Sequence, residues 1–369
     1  MACPFSGTVA DSTYVKGEGK AGKIANQPIA VVCSSASKGR KTYISANEAP
    51  NTLIPDSERI ARRVDKLVAE TGVTIPDEPL PPSGTLGFRI QPYGLRLWRD
   101  LYTPRQLIAL LTFTRHIRAA YEELLSCGVS QDRASGISLA LAIVMSKMSM
   151  RLSNVCLWNT QGEKIEFPFS RGAVPMTWDF PETNIFGEAS GSADGALRGV
   201  VGVLKELCQL NIEANVKRGA AQGLPYEDEC FDAVITDPPY YDNFGYADLS
   251  DYSYVWFKRT VGLIFPEHLS TSLTPKKSEA IAERMRHGKN TKLARQAYEE
   301  VMALAFRQAR RVLKPTAPLT IVYAHKTTAG WATLVDALRA SGFLIAEAWP
   351  LDTEMAGGLR SLRASLASS

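Results

Sequence analysis

Apolar positions keep helical spacing most clearly after residue 103, and from about residue 211 short strand-like runs alternate with helices. Leu107, Leu110, Leu111, Phe113, Ile117 and Leu124 recur at steps of three and four, which puts them along one side of a helix. Thr103 before them is a good N-cap, and Pro104 fits the first helical position, where its missing N–H costs nothing. This helix is expected to run to about Ser126. Ser135–Met150 reads as a second, more apolar helix, with Met145, Met148 and Met150 as core filler. Upstream, Pro28–Cys33 and Lys41–Ile44 read as strands of a small β-rich lead. Ser57–Glu70 reads as a short helix and Pro76–Pro82 as a linker. Residues 153–193, interrupted by Trp158, Pro168, Pro175, Trp178 and Pro181, read as irregular, and Gly195–Leu210 as helical again.

From residue 211 the pattern alternates. Ala214–Lys217, Phe231–Thr236, Leu319–Ala324 and Phe343–Trp349 read as strands. Thr291–Leu313 and Trp331–Ala340 read as helices, the latter closed by Gly342. Strands alternating with helices predict an α/β fold with a mainly parallel, doubly wound sheet.

Composition narrows the class without naming a partner. The 369 residues are 45% hydrophobic and 22% charged with a net charge of +4, as for a globular chain with a real core. That mild excess permits a nucleic-acid partner without demanding one. The six cysteines are scattered, with no Cys-x-x-Cys pair, and the four histidines have no metal-ligand spacing, so reduced thiols and no metal are expected. No apolar run reaches the ~18 residues of a membrane span, and the first residues lack the basic lead and apolar stretch of a signal peptide. The expectation is a cytoplasmic protein with no membrane partner.

The chemistry concentrates at Asp237-Pro238-Pro239-Tyr240. Two prolines cannot donate to a sheet ladder, so they stop the strand before them and leave Asp237 at its carboxyl end, where open α/β sheets bind ligands. The Asp237 carboxylate and the Pro238 carbonyl are two close acceptors, able to hold both hydrogens of an –NH2 group and turn its lone pair outward. Tyr240 offers a face to a flat ring. An adenine flipped out of a duplex fits all three features. Methyl transfer to such an amine needs positioning more than a strong base, with S-adenosylmethionine as the donor. The bland alternative is a plain turn, since Asp and Pro favour turns. The flanking order argues against it: Gly223–Asp228, then the strand, the corner, and Arg311–Pro315 ending a helix before another strand.

Further candidates surround the corner. Tyr241 and Asn243 adjoin it and are placed to touch the base or its backbone. His325 and Lys326 follow an apolar strand at its carboxyl end. Residues 275–295 carry Lys276, Lys277, Arg284, Arg286, Lys289, Lys292 and Arg295 against Glu279 and Glu283. This run is either a DNA-phosphate contact or a solvated face. Tyr246, Tyr252 and Tyr254 are read as core with Trp256 and Phe257.

The block Thr236–Asn243 with Tyr246–Asp251 and Val255–Arg259 resembles the large prokaryotic adenine-specific DNA methylases described as containing a zinc ribbon. Leu101–Leu107, Trp178–Asn184 and Tyr323–Thr328 look like further signatures of that family. The resemblance implies a Rossmann-like, S-adenosylmethionine-dependent methyltransferase acting on adenine in DNA, with Asp237, Pro238, Pro239 and Tyr240 as its amine-holding site. It implies three regions: 1–98 as lead and linker, 99–193 as an insertion able to meet DNA, and 194–369 as the catalytic half. The chain departs from the family in lacking a glycine-rich cofactor loop. Cys3-Pro4-Phe5-Ser6 looks like a zinc knuckle without its second cysteine, and Ser361–Ser369 reads as a final strand cut short. The expectation is therefore a fragment or split-gene product, its cofactor-binding residues unassigned and supplied by another chain or an upstream segment. The competing expectations are methylation of RNA or protein glutamine amines, and a catalytically silent DNA- or partner-binding remnant.

Overall fold

A computed structural model describes residues 7–34, 41–50, 57–325 and 327–350. In chain order the elements are α1 (Ser12–Lys20), β1 (Ala30–Cys33), β2 (Thr42–Ser45), α2 (Ser57–Thr71), α3 (Pro104–Ser126), α4 (Gln131–Ser149), β3 (Leu157–Asn159) and β4 (Lys164–Glu166). There follow α5 (Ala193–Leu207), β5 (Val234–Thr236), α6 (Tyr246–Val261), α7 (Pro266–Leu269), α8 (Thr291–Val312), β6 (Leu319–Ile321) and α9 (Thr328–Ala340). The protein is mixed α/β, with helices dominant and sheets of two strands each. Among the described residues no helix is long and apolar enough to cross a membrane.

The predicted cap of α3 is present in full. Thr103 Oγ1 accepts from Gln106 N at 3.3 Å while Gln106 Oε1 accepts from Thr103 N at 2.8 Å, so two otherwise orphaned N–H groups satisfy each other's residue. The apolar stripe of α3 buries Leu107, Leu110, Leu111 and Ile117 against α2, α4 and α6. Trp98, Tyr252, Val255, Trp256, Met145 and Met148 fill the same core. Two of the three polar rings find partners: Trp256 Nε1 donates to Tyr102 Oη at 2.8 Å, and Tyr252 Oη to the Ser149 carbonyl at 3.0 Å, while Trp98 Nε1 is buried without one. Each fully buried large apolar side chain contributes on the order of 2–3 kcal/mol. Arg259, at the end of α6, donates to both carboxylate oxygens of Glu78 at 3.0 Å and to the carbonyls of Thr74 and Ile75 at 2.7 Å. That side chain clamps the proline-rich linker onto the helical core.

A second core forms where α8 and α9 meet the parallel pair β5–β6, with Val234 opposite Leu319 and Thr236 opposite Ile321. Tyr298, Met302, Phe306, Leu334 and Leu338 pack there with Tyr323. The pleat turns Ile235 and Val322 to the other face, where Ile235 is 77% exposed.

Several expectations are corrected. The α/β class is present, and the parallel part of its sheet among the described residues is this two-stranded pair. Ala214–Lys217 and Phe343–Trp349 join no sheet among the described residues; their β-branched and apolar residues find no neighbouring edge. The lead contains α1, which the helix-poor residues Gly17 and Gly19 conceal. Asp11 caps it, and a β-carbon on Gly19 would collide with the Tyr93 carbonyl, so glycine is required by close backbone approach. The stretch 153–193 holds the hairpin β3–β4. The cysteine knuckle at residues 3–6 and the terminal stretch 361–369 lie outside the described residues.

Candidate active site

β5 and β6 run parallel, so their carboxyl ends open on one side, and the segments 237–245 and 322–325 both leave the sheet there. Pro238 is buried at the end of β5 and Asp237 is exposed. The Pro239 carbonyl accepts from Tyr241 N at 3.0 Å and from Tyr298 Oη at 2.9 Å. No donor among the described residues reaches the Pro238 carbonyl, so it stays available as an acceptor. Asp237, Pro239, Tyr246 and Glu279 line an open cleft of ≈ 360 Å³, within the range of small-ligand sites.

The lining carries two carboxylates, Asp237 and Glu279, and the second is paired with Arg286 at 2.6 Å. Burial first, and then the adjoining Asp237 carboxylate, push the Tyr240 phenol well above its ordinary range. Burial raises Tyr246 as well, followed by the charges of Asp237 and Glu279. Both phenols therefore stay protonated beside two carboxylates. A ligand presenting N–H groups suits such a wall; an anion does not. Tyr240 stands edge-on to Tyr323, with centroids 5.6 Å apart.

Tyr241 carries backbone strain. Its φ is +47°, a left-handed conformation that costs a non-glycine residue about 1–2 kcal/mol. The ring offsets this by edge contacts with Tyr298 at 5.2 Å and His325 at 5.8 Å, and the Tyr241 carbonyl accepts from Ala282 N at 3.0 Å. The bend turns the chain back after Tyr240, and Asn243 N closes it on the Tyr240 carbonyl at 2.9 Å. The Asn243 amide nitrogen is buried without a hydrogen-bond partner.

His325 is 2% exposed and lies parallel to the Tyr323 ring at 6.4 Å. A β-carbon on Gly330 would occupy the space of its imidazole, so glycine makes the cradle behind the ring. Lys326 lies outside the described residues.

The basic run divides in two. Lys276 turns inward to Asp251, which is wholly buried, at 2.7 Å. Arg286 reaches Asp248 and Glu279, each at 2.6 Å, and Arg295 reaches Glu299 at 2.7 Å. Lys277, Lys289 and Lys292 are exposed and make no ion pair among the described residues. The Lys276 expectation is thus corrected: its ammonium neutralises a buried carboxylate, leaving Lys277 of that pair facing solvent. Tyr246 is corrected too. Tyr252 and Tyr254 are core, but Tyr246 is 47% exposed and lines the cleft. Glu279 and Asp242 escape a sequence-based search for site residues because nothing local to them signals the role. Only the fold brings Glu279 to Asp237 and Asp242 to His325.

Compared with protein-family models, with curated proteins and with solved structures, the chain matches none.

Proposed function

We propose that the corner at the end of β5 binds the exocyclic amine of a flat heterocycle, and that the protein is a DNA adenine methyltransferase using S-adenosylmethionine. One observation carries the reading: Asp237-Pro238-Pro239-Tyr240 leaves a parallel strand with Asp237 and Pro239 in the wall of an open cleft and Tyr240 beside the Tyr323 ring. Asp237 and the Pro238 carbonyl would take the two amine hydrogens, leaving the nitrogen lone pair directed outward. Tyr240 would cover the ring. Asp237 need not remove a proton first; holding the amine in line supplies most of what the reaction requires.

The residues of the cleft fit the amine better than they fit the methyl donor. Among the described residues neither β5 nor β6 ends in a glycine-rich turn, and no residue is assigned to the cofactor. A Rossmann-like sheet remains part of the proposal, supported by the parallel pair and its two helices. The unmatched cofactor turn favours a second reading, a silent DNA- or partner-binding module.

Calorimetric titration of the purified chain with S-adenosylmethionine, followed by methyl incorporation into adenine-containing DNA, separates the two. Micromolar binding with incorporation supports the enzyme. A folded chain that binds DNA but neither binds nor uses the donor supports the silent module. In an active preparation Asp237→Ala abolishes incorporation and leaves duplex binding largely intact. Retained incorporation removes Asp237 from its role.

A further inference from the structure

The His325 imidazole has one end pinned and the other idle. The Thr327 backbone N–H donates to Nδ1 at 3.1 Å, and a backbone N–H can only donate, so Nδ1 is an acceptor and the neutral ring carries its proton on Nε2. The Thr327 hydroxyl, 3.0 Å from Nδ1, also caps α9 through Gly330 N. The tautomer is therefore set by the start of a helix. At the other end Nε2 is buried and has no hydrogen-bond partner. The nearest carboxylate oxygen, Asp242 Oδ1, stands 3.7 Å away, beyond hydrogen-bond range. The Asp242 side chain is 54% exposed, so water now solvates it.

A buried donor left unpaired is costly, so Nε2 calls for a partner that this arrangement does not supply. The missing contact needs less than about 1 Å of movement. The segment that would move is short and already bent: Tyr240 to Asn243, with Tyr241 in the left-handed region and its ring resting on His325. Asn243, the far end of that bend, also has a buried polar atom without a partner.

We propose that His325 and Asp242 form a latch that closes when an amine-bearing ring occupies the corner, making His325 a positioning residue for the Tyr240–Asn243 loop. This rests on the amine-binding reading above. A ring against Tyr240 excludes water from the neighbouring Asp242 carboxylate, and its attraction for the Nε2 proton rises as the local dielectric falls. Closing fixes Tyr240 over the ring. The pair therefore stabilises the occupied state and not the free one, which is the differential interaction that a ligand-linked change requires.

The test is a double-mutant cycle on the full chain, read as anisotropy of a labelled single-stranded oligonucleotide containing adenines. A control oligonucleotide carries purines lacking the amine. One hydrogen bond to a charged group corresponds to roughly tenfold in affinity. His325→Leu weakens binding of the adenine strand by about tenfold, Asp242→Asn, which keeps an acceptor but loses the charge, weakens it by less, and the double variant binds no worse than His325→Leu. His325→Gln, which keeps a donor near the Nε2 position, recovers most of the loss. Without oligonucleotide, Asp242→Asn leaves the urea midpoint unchanged, which a merely structural contact would not. Should His325→Leu not fold, Asp242→Asn and His325→Gln carry the test alone. Additive losses, or a stability change in the free protein, overturn the latch while amine-dependent binding stands. A wild-type chain that binds both strands equally, or neither, overturns the amine reading and the latch with it.

Discussion

Replacing Glu78 by Gln keeps the shape of the linker clamp and removes one charge. The Glu78 and Arg259 side chains are 9% and 7% exposed, and two hydrogen bonds of 3.0 Å join them. Breaking a buried pair from one side costs about 3–5 kcal/mol, because the remaining charge is left without its counterion. Here the low end applies. Arg259 keeps the carbonyls of Thr74, Ile75 and Val255 as acceptors. The expected loss at pH 7 is therefore about 3 kcal/mol, or roughly a 1 M fall in urea midpoint for a slope near 3 kcal/mol/M. The pH dependence gives a second reading of the same contact. Burial alone would raise the Glu78 carboxyl, but hydrogen bonding and charge from Arg259 outweigh it and hold the group below its ordinary 4.5. A carboxyl depressed by folding contributes stability above its unfolded value and loses it as pH falls through the folded one. The gap between wild type and variant is thus full at neutral pH and closes in acid below that range. Urea denaturation followed by tryptophan fluorescence at several pH values reads both. A loss under about 1 kcal/mol at pH 7, or a gap that persists undiminished at about pH 3, refutes the clamp.

The remaining predictions concern the site. Gly330→Ala drives a β-carbon into the His325 ring and should cost about 1–3 kcal/mol as overpacking, read by thermal denaturation; an unchanged midpoint would show that the cradle is not tight. Lys276→Gln strips the counterion from buried Asp251 and should lower the urea midpoint, whereas combined Gln replacement of Lys277, Lys289 and Lys292 should leave it alone. If those three exposed lysines meet phosphates, the triple variant lowers the slope of log affinity for duplex DNA against log salt by roughly 0.9 for each phosphate no longer neutralised, and an unchanged slope removes them from the interface.

Features written in local chemistry are legible in the sequence itself. Thr103-Pro104 with Gln106 three residues after Thr103 announces a capped helix, and α3 starts there. Asp237-Pro238-Pro239 announces a strand that must stop, and β5 ends one residue earlier. Features that depend on a partner distant along the chain are not legible in this way. A run of lysines and arginines looks uniform until Asp248 and Asp251 take Arg286 and Lys276 out of it. Ala214–Lys217 and Phe343–Trp349 have strand-like composition, but a strand exists only with a neighbouring edge. His325 is legible as a strand-end residue. Its tautomer and idle nitrogen depend on Thr327 and on the bend at Tyr241, which nothing in a non-glycine residue foretells.

The helix after the corner shows why a motif should not be read as one functional unit. Along α6 the side chains change task with each turn. Tyr246 opens it in the cleft wall. Asp248 and Asp251 then hold Arg286 and Lys276, and Arg286 in turn holds Glu279, the second carboxylate of the cleft. Tyr252, Val255 and Trp256 are core, and Arg259 clamps the linker. The cleft is thus fastened to the helical core by its own back wall, through charge at one end of the helix and apolar packing further along. Substitutions at Asp237 and Tyr246 should therefore alter ligand binding with the urea midpoint nearly unchanged. Those at Tyr252, Trp256 and Arg259 should lower the midpoint first and affect the ligand only through it. Asp248→Asn lies between. It loosens the Arg286–Glu279 arm without opening the core, so it should reduce both. Were Asp248→Asn to leave ligand affinity untouched while destabilising the fold, the arm would be a surface tie, and Glu279 would owe its place in the cleft to the backbone alone.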